Sequence, residues 1–215
     1  MKKKVPRRRN GIYYLNNKEY DSVTKILGVI EKPALYYWFK QQAARIALAD
    51  PTLDEKEVIA KVGEISKVAA ARGTTVHGYC EAKSKGEGYT VAKEYKGYTD
   101  ALDSWWGTNE PKVLKNEVEL YSDKYGYAGR CDAIVDINGE DWVLDYKTGK
   151  SIYKEVGLQL SAYRHALIEM GVVQDVKMGV LLLMVTGEYQ FKETNDSIEN
   201  FVNVMKVWRW SRGRE

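Results

Sequence analysis

An α/β fold with a helical front part is what this sequence predicts, and three observations predict it. Segments of helical periodicity fill most of residues 22–106, a strand–turn–strand signal centres on Asn138-Gly139, and from residue 94 onward the elements run αβββαβ. The chain of 215 residues is long enough for one domain with a decorated core, and it carries no internal repeat or low-complexity tract. The expected organisation is a basic flexible tail over 1–10 and a single domain over 11–215. Within that domain, residues 11–110 are mainly helical and 111–215 form the α/β part.

Each element has a local reason. Ile12–Leu15 and Lys18–Tyr20 flank Asn16-Asn17 and predict a small hairpin. Helices follow over about 22–30, 33–49, 53–71, 74–85 and 93–106; Pro33 suits a first helical turn, and Thr52 with Glu55 has capping-box spacing. Strands are expected near 113–122, 126–137 and 141–147, then a helix near 153–170, strands near 176–186 and 188–192, and a last helix near 196–211. Ala133–Ile137 and Trp142–Leu144 are β-rich on either side of Asn138-Gly139, the dipeptide that a two-residue hairpin favours because both of its residues take positive φ.

That hairpin carries the chemistry. Counting outward from its turn brings Asp132 and Asp145 near the same end of the strand pair, close enough to share a divalent cation. Lys147 lies two residues beyond Asp145 and so on the same strand face. An acidic residue two before a lysine is common: others begin at Asp54, Glu81, Glu94, Glu110 and Asp175. Only Asp145 ends an apolar strand after a hairpin turn. Paired carboxylates with a lysine suit metal-dependent phosphodiester hydrolysis. A sugar or acyl hydrolase using the same carboxylates would leave Lys147 and His77 unexplained.

Five blocks, in order over residues 73–163, resemble the PD-(D/E)XK nuclease superfamily, in its RecB-like and viral exonuclease branch. They are Gly73-Thr74-Thr75-Val76-His77 with Glu81; Glu117 in Asn116–Leu120; Tyr127–Asp132; Asp145–Lys150; and Gln159–Tyr163. The resemblance implies a restriction-endonuclease-like core, a mixed central sheet flanked by helices, behind an N-terminal helical layer. It implies Mg²⁺ or Mn²⁺ held by Asp132, Asp145, His77 and the main-chain carbonyl of Tyr146, with Lys147 orienting or deprotonating the attacking water or neutralising the transition state. Gln159 is then expected at the metal-site water or the scissile strand, and Tyr163 at a phosphate. Glu117 either binds a second cation or holds Lys147 in a salt bridge. The related branch with an iron–sulfur cluster needs four thiolates, and this chain has only Cys80 and Cys131, expected as small buried residues.

The implied activity is a DNA exonuclease acting on single-stranded or processed ends in viral or recombination and repair metabolism. A structure-specific or nicking endonuclease would use the same site, and a non-catalytic module for DNA ends would be expected to break at least one motif. The expected partners are DNA with free or single-stranded ends and a single-strand-binding or recombination protein, in the cytoplasm, of the host if the protein is viral. No apolar stretch approaches the roughly 20 residues of a membrane span. Net charge is +3, and Lys2, Lys3, Lys4, Arg7, Arg8 and Arg9 supply the excess. Without them 27 basic residues face 30 acidic ones, so affinity for nucleic acid must come from local patches. Candidates are that tail and the closing Trp208–Arg214. His165, Trp105-Trp106, Tyr13-Tyr14 and Tyr36–Phe39 are expected to be structural, although Tyr36–Lys40 also suits a channel lining.

Overall fold

The computed structural model describes residues 7–9 and 12–214. In chain order its elements are β1 (Arg7–Arg9), β2 (Ile12–Leu15), β3 (Lys18–Ser22), α1 (Val23–Ile26), α2 (Pro33–Ala49), α3 (Glu55–Lys85), α4 (Lys96–Asn109), β4 (Lys112–Ser122), β5 (Tyr127–Ile137), β6 (Glu140–Thr148), α5 (Glu155–Glu169), β7 (Lys177–Leu183), β8 (Tyr189–Glu193) and α6 (Ile198–Trp210). Short 3-10 turns continue α1 at Leu27–Val29 and precede α4 at Lys93–Tyr95. The chain divides into two compact units, Met1–Ile30 with Val76–Glu215 and Glu31–Thr75. The expected division fell elsewhere, at residues 10 and 110. Part of the expected tail is a strand, because Arg7–Arg9 pair with β2; residues 1–6 and 10 lie outside the described residues.

The larger unit is built on one eight-stranded mixed sheet in the order β1-β2-β3-β5-β6-β7-β8, with β4 on the other edge of β5. Strand β4 runs antiparallel to β5 along its whole length. The opposite edge of β5 is shared: β3 pairs in parallel with Tyr127 and Ala128, while β6 pairs with Ala133–Ile137. Between those two stretches no strand among the described residues lies beside β5 on that edge. Asn138 and Gly139 have φ of 55° and 84°, as a type I′ turn requires, and Asp136 Oδ1 accepts the Gly139 amide at 2.8 Å. Beyond Leu144, β6 leaves β5 and continues alongside parallel β7 as far as Thr148.

Apolar cores fill both faces of this sheet. On one, Leu160, Tyr163, Ala166 and Leu167 of α5 and Phe201, Met205 and Trp208 of α6 pack with Tyr127, Cys131, Ile134 and Val143. On the other, Val76 and Cys80 of α3 and Leu102 and Trp105 of α4 pack with Ala133, Val135, Leu144 and Tyr146. Both cysteines are free and buried, as expected. Trp105, at 0% exposure, and Tyr13, at 5%, are core residues too. The expected αβββαβ order is present as α4, β4, β5, β6, α5 and β7.

Three local expectations change. The two helices expected over 53–71 and 74–85 are one helix, α3, from Glu55 to Lys85. Gly73 in its interior costs about 1 kcal/mol relative to alanine without breaking it. The hydroxyls that would have capped a new helix turn back instead, Thr74 Oγ1 to the Ala70 carbonyl at 3.3 Å and Thr75 Oγ1 to that of Ala71 at 3.0 Å. The capping box at the start of α3 is Asp54 with Glu57, whose carboxylates accept each other's amides at 2.9 and 2.8 Å; Thr52 bonds Asp50. The strand expected over 176–186 stops at Leu183, where Gly187 at φ 87° turns the chain into β8.

In the smaller unit, which holds α2 and the beginning of α3, no residue is buried. Trp38 and Phe39 meet edge to face at 5.1 Å. Tyr36 and Tyr37, expected in a core, are 60% and 64% exposed.

Candidate active site

The sheet forks where β5 and β6 part, and the expected site residues gather at the fork. Ala133 and Leu144 form the last registered pair, so Asp132 and Asp145 are the first residues beyond it, one on each strand. Side-chain alternation slips there. Cys131 and Ile134 pack on one face of the sheet and Ala133 and Val135 on the other, so residues three apart share a side. On the neighbouring strand, between the pairs Asn116–Ala133 and Val118–Cys131, Glu117 has a φ of 48°. A left-handed, non-glycine residue inside a strand marks a local irregularity of the kind found beside functional sites.

Protein donors fix each carboxylate. Asp132 Oδ2 accepts the Tyr146 main-chain amide at 2.8 Å, and Asp132 Oδ1 lies 3.4 Å from His77 Nδ1. Asp145 is 2% exposed, and its Oδ1 accepts Gln159 Nε2 at 2.7 Å. Gln159 Nε2 also donates to the Tyr163 hydroxyl at 3.1 Å, the two residues being one turn apart on α5. Lys147 Nζ lies 2.6 Å from Asp145 Oδ2, off the line of a good hydrogen bond, so that buried oxygen is charge-paired but has no aligned donor. Its expected place on the face of Asp145 is therefore met. Glu117 Oε2 lies 2.7 Å from Arg130 Nε, so of its two expected roles the salt bridge to Lys147 is replaced by one to Arg130.

The electrostatics follow from burial and crowding. Burial raises the pKa of Asp145, Lys147 opposes this, and nearby Asp132 adds to it. Burial alone would lower His77, but its contact with Asp132 and the charge of Asp145 turn the net shift upward. Lys147 behaves alike: burial lowers it, and Asp145 and Asp132 more than restore it. Glu117 is raised by burial, against the lowering effect of Arg130. The cluster is a crowded set of carboxylates and cations whose charges perturb one another, a pattern that functional sites and buried ion-pair networks share.

Tyr163 sits deeper than its expected role suggested. It is 3% exposed, and a Cβ placed on Gly129 would come within 2.6 Å of its ring, so the bare backbone of β5 is what admits the ring. Its hydroxyl positions Gln159. Arg130 lies within the Tyr127–Asp132 block, and its partner Glu117 becomes visible only when β4 and β5 pair and Glu119 registers opposite it. His165 is structural: its Nε2 lies 3.4 Å from Glu169 Oε2, and Glu169 caps the turn after β4 through Ser122 and the amides of Asp123 and Lys124.

Among the described residues no three His, Cys, Asp or Glu side chains converge as a ready metal cluster. The donor set at the fork nonetheless fits a hard divalent cation. Asp145 Oδ2 is a buried carboxylate oxygen with no aligned donor, and Asp132 and His77 stand beside it.

Solved structures of other proteins share this architecture. A candidate exonuclease from Eubacterium rectale is 12% identical, over 92% of this chain and 80% of that one, with a TM-score of 0.50. The likeness is one of fold. An alkaline exonuclease from Laribacter hongkongensis is 9% identical over 89% of this chain and 87% of its own, with a TM-score of 0.45. No protein-family model matches the sequence, and no curated protein does. Among the described residues no helix is long and apolar enough to cross a membrane.

Proposed function

We propose that this protein is a metal-dependent nuclease of the RecB-like and viral exonuclease branch, hydrolysing phosphodiester bonds at single-stranded or processed DNA ends. The observation that carries the reading is the fork: Asp132 and Asp145 meet one position beyond the last hairpin pair, with Lys147 on the second carboxylate and His77 on the first. Likeness to a candidate exonuclease supports cutting from an end rather than within a strand. The cytoplasm, beside a single-strand-binding or recombination protein, is the fitting setting.

Hydrolysis forms one bond from a water oxygen to phosphorus and breaks one P–O ester bond, with negative charge growing on the phosphoryl oxygens. When bound by Asp132, Asp145, His77 and the Tyr146 carbonyl, Mg²⁺ or Mn²⁺ supplies Lewis acidity and lowers the pKa of that water. Lys147, with a third of its side chain exposed, brings a positive charge to the rim of the site, where it orients the water and neutralises the growing charge. Gln159 holds the Asp145 carboxylate in one orientation, and the Tyr146 amide does the same for Asp132. Arg130, 57% exposed and steadied by Glu117, is placed to meet a backbone phosphate.

The test uses end-labelled linear and covalently circular single-stranded DNA, each with Mg²⁺, Mn²⁺ or chelator, beside Asp145→Asn. Loss of the linear strand alone, abolished by chelator and by the substitution, is the expected result. Cutting of the circle would replace the exonuclease with an endonuclease, and binding without cutting would overturn the catalytic reading.

A further inference from the structure

We infer that the exposed face of α2 is a binding platform for single-stranded nucleic acid, on which Tyr36 and Tyr37 stack bases while Lys40 and Arg45 meet phosphates. This deepens the nuclease reading and rests on it, since it names how a strand is held.

The argument begins with burial. Tyr36 and Tyr37 are 60% and 64% exposed, Leu48 is 83% exposed, and no residue of α2 is buried. Spacing groups the exposed residues. Tyr37, Lys40, Ala44 and Leu48 follow one another at helical intervals of three and four, and Tyr36 is one turn before Lys40; with successive residues about 100° apart, the two tyrosines flank Lys40, and Arg45 marks the edge of the face about 80° beyond Tyr37. Trp38, Phe39, Gln41, Gln42, Ala43 and Ile46 are partly covered. The helix thus divides its aromatics, turning one pair inward and leaving the tyrosines in water.

Charge identifies the occupant. Pro33–Ala49 contains Lys40 and Arg45 and not one Asp or Glu, and neither cation forms an ion pair among the described residues. Exposed rings interleaved with unpaired cations are the parts of a sequence-tolerant single-strand site: rings take any base, cations follow the backbone. From Tyr37 to Leu48 the face runs about 16 Å at 1.5 Å per residue. That accommodates about five nucleotides at the roughly 3.4 Å spacing of a stacked strand. A second copy fits the face less well. A two-fold interface sets a patch against itself, and the cations of α2 would meet their own likes with no carboxylate on the helix to pair them.

The experiment is fluorescence anisotropy of a labelled oligothymidylate with the full chain in chelator, comparing wild type with Tyr36→Ala/Tyr37→Ala, Tyr36→Phe/Tyr37→Phe and Lys40→Gln/Arg45→Gln. The alanine pair should weaken binding by about 10- to 100-fold, the order expected for losing base–aromatic stacking, and the phenylalanine pair by no more than about twofold. The glutamine pair should flatten the salt dependence by about 1.4 in log–log slope, the value for two phosphate contacts on a single strand. Circular dichroism confirms that the variants fold. Unchanged binding by the alanine pair overturns the inference, as does a wild-type dimer that the alanine pair converts to monomer without loss of DNA affinity. Stacking-dependent binding by a protein that cuts nothing with Mg²⁺ or Mn²⁺ would defeat the catalytic reading and leave the platform standing. Cutting with binding indifferent to Tyr36 and Tyr37 would do the reverse.

Discussion

The main-chain amide of Tyr146 donates to the side chain of Asp132 at 2.8 Å, at the point where the ladder between β5 and β6 has ended. One carboxylate oxygen therefore stands in for a neighbouring strand. This holds the fork open without leaving a buried amide unpaired, and it fixes the orientation in which Asp132 offers its other oxygen beside His77.

Replacing Asp132 or Asp145 by asparagine removes a charge that neither Gln159 nor Tyr146 can replace. Activity should fall at least about 10²-fold, on the scale of removing one preorganised electrostatic group, with circular dichroism unchanged. Residual activity near that of wild type would show that the fork is not the reacting centre.

Metal binding should be measurable without substrate. A ligand that binds only the folded state at 100 times its Kd stabilises by about 2.7 kcal/mol. For a chain of this size that is roughly 5–11 °C in Tm. Mn²⁺ should raise the Tm of wild type and not that of Asp132→Asn, and equal shifts in both proteins would place the ion elsewhere.

Gln159→Ala removes the donor that holds Asp145 Oδ1 and also releases the Tyr163 hydroxyl. Because the residue acts through Asp145, the metal concentration for half-maximal activity should rise about 10- to 100-fold. An unchanged metal requirement with a lower turnover would indicate direct contact with substrate instead.

Gly129→Ala puts a methyl group where the Tyr163 ring edge lies, 2.6 Å away. Overpacking of this kind costs about 1–3 kcal/mol. Thermal melting should show a drop of roughly 2–12 °C, whereas Gly149→Ala, which meets nothing within 4 Å, should leave Tm nearly unchanged.

His165 gives the fold a dependence on pH. Burial lowers its pKa from the usual 6.5, partly offset by Glu169, so the unfolded chain takes up the proton more readily than the folded one. Its contribution is intact above pH of about 6.5 and declines as pH falls through that value toward the lower folded pKa. Urea melts at pH 7.5 and 5.5 should show a smaller loss for His165→Asn than for wild type.

Much of the fold was written locally. Asn138-Gly139 dictates a type I′ hairpin because both residues accept positive φ, and that turn sets the count bringing Asp132 level with Asp145. Period-two alternation likewise placed Lys147 beside Asp145. What tertiary structure alone decided are relations between distant segments. The pairing of Glu117 with Arg130 depends on the register of β4 against β5, and the seat of Tyr163 depends on how closely α5 approaches Gly129. Continuity of α3 through Gly73 was hidden because local glycine and threonine signals favoured a break. The exposure of Tyr36 and Tyr37 was hidden for a related reason: a sequence states that a ring is apolar and says nothing of what covers it.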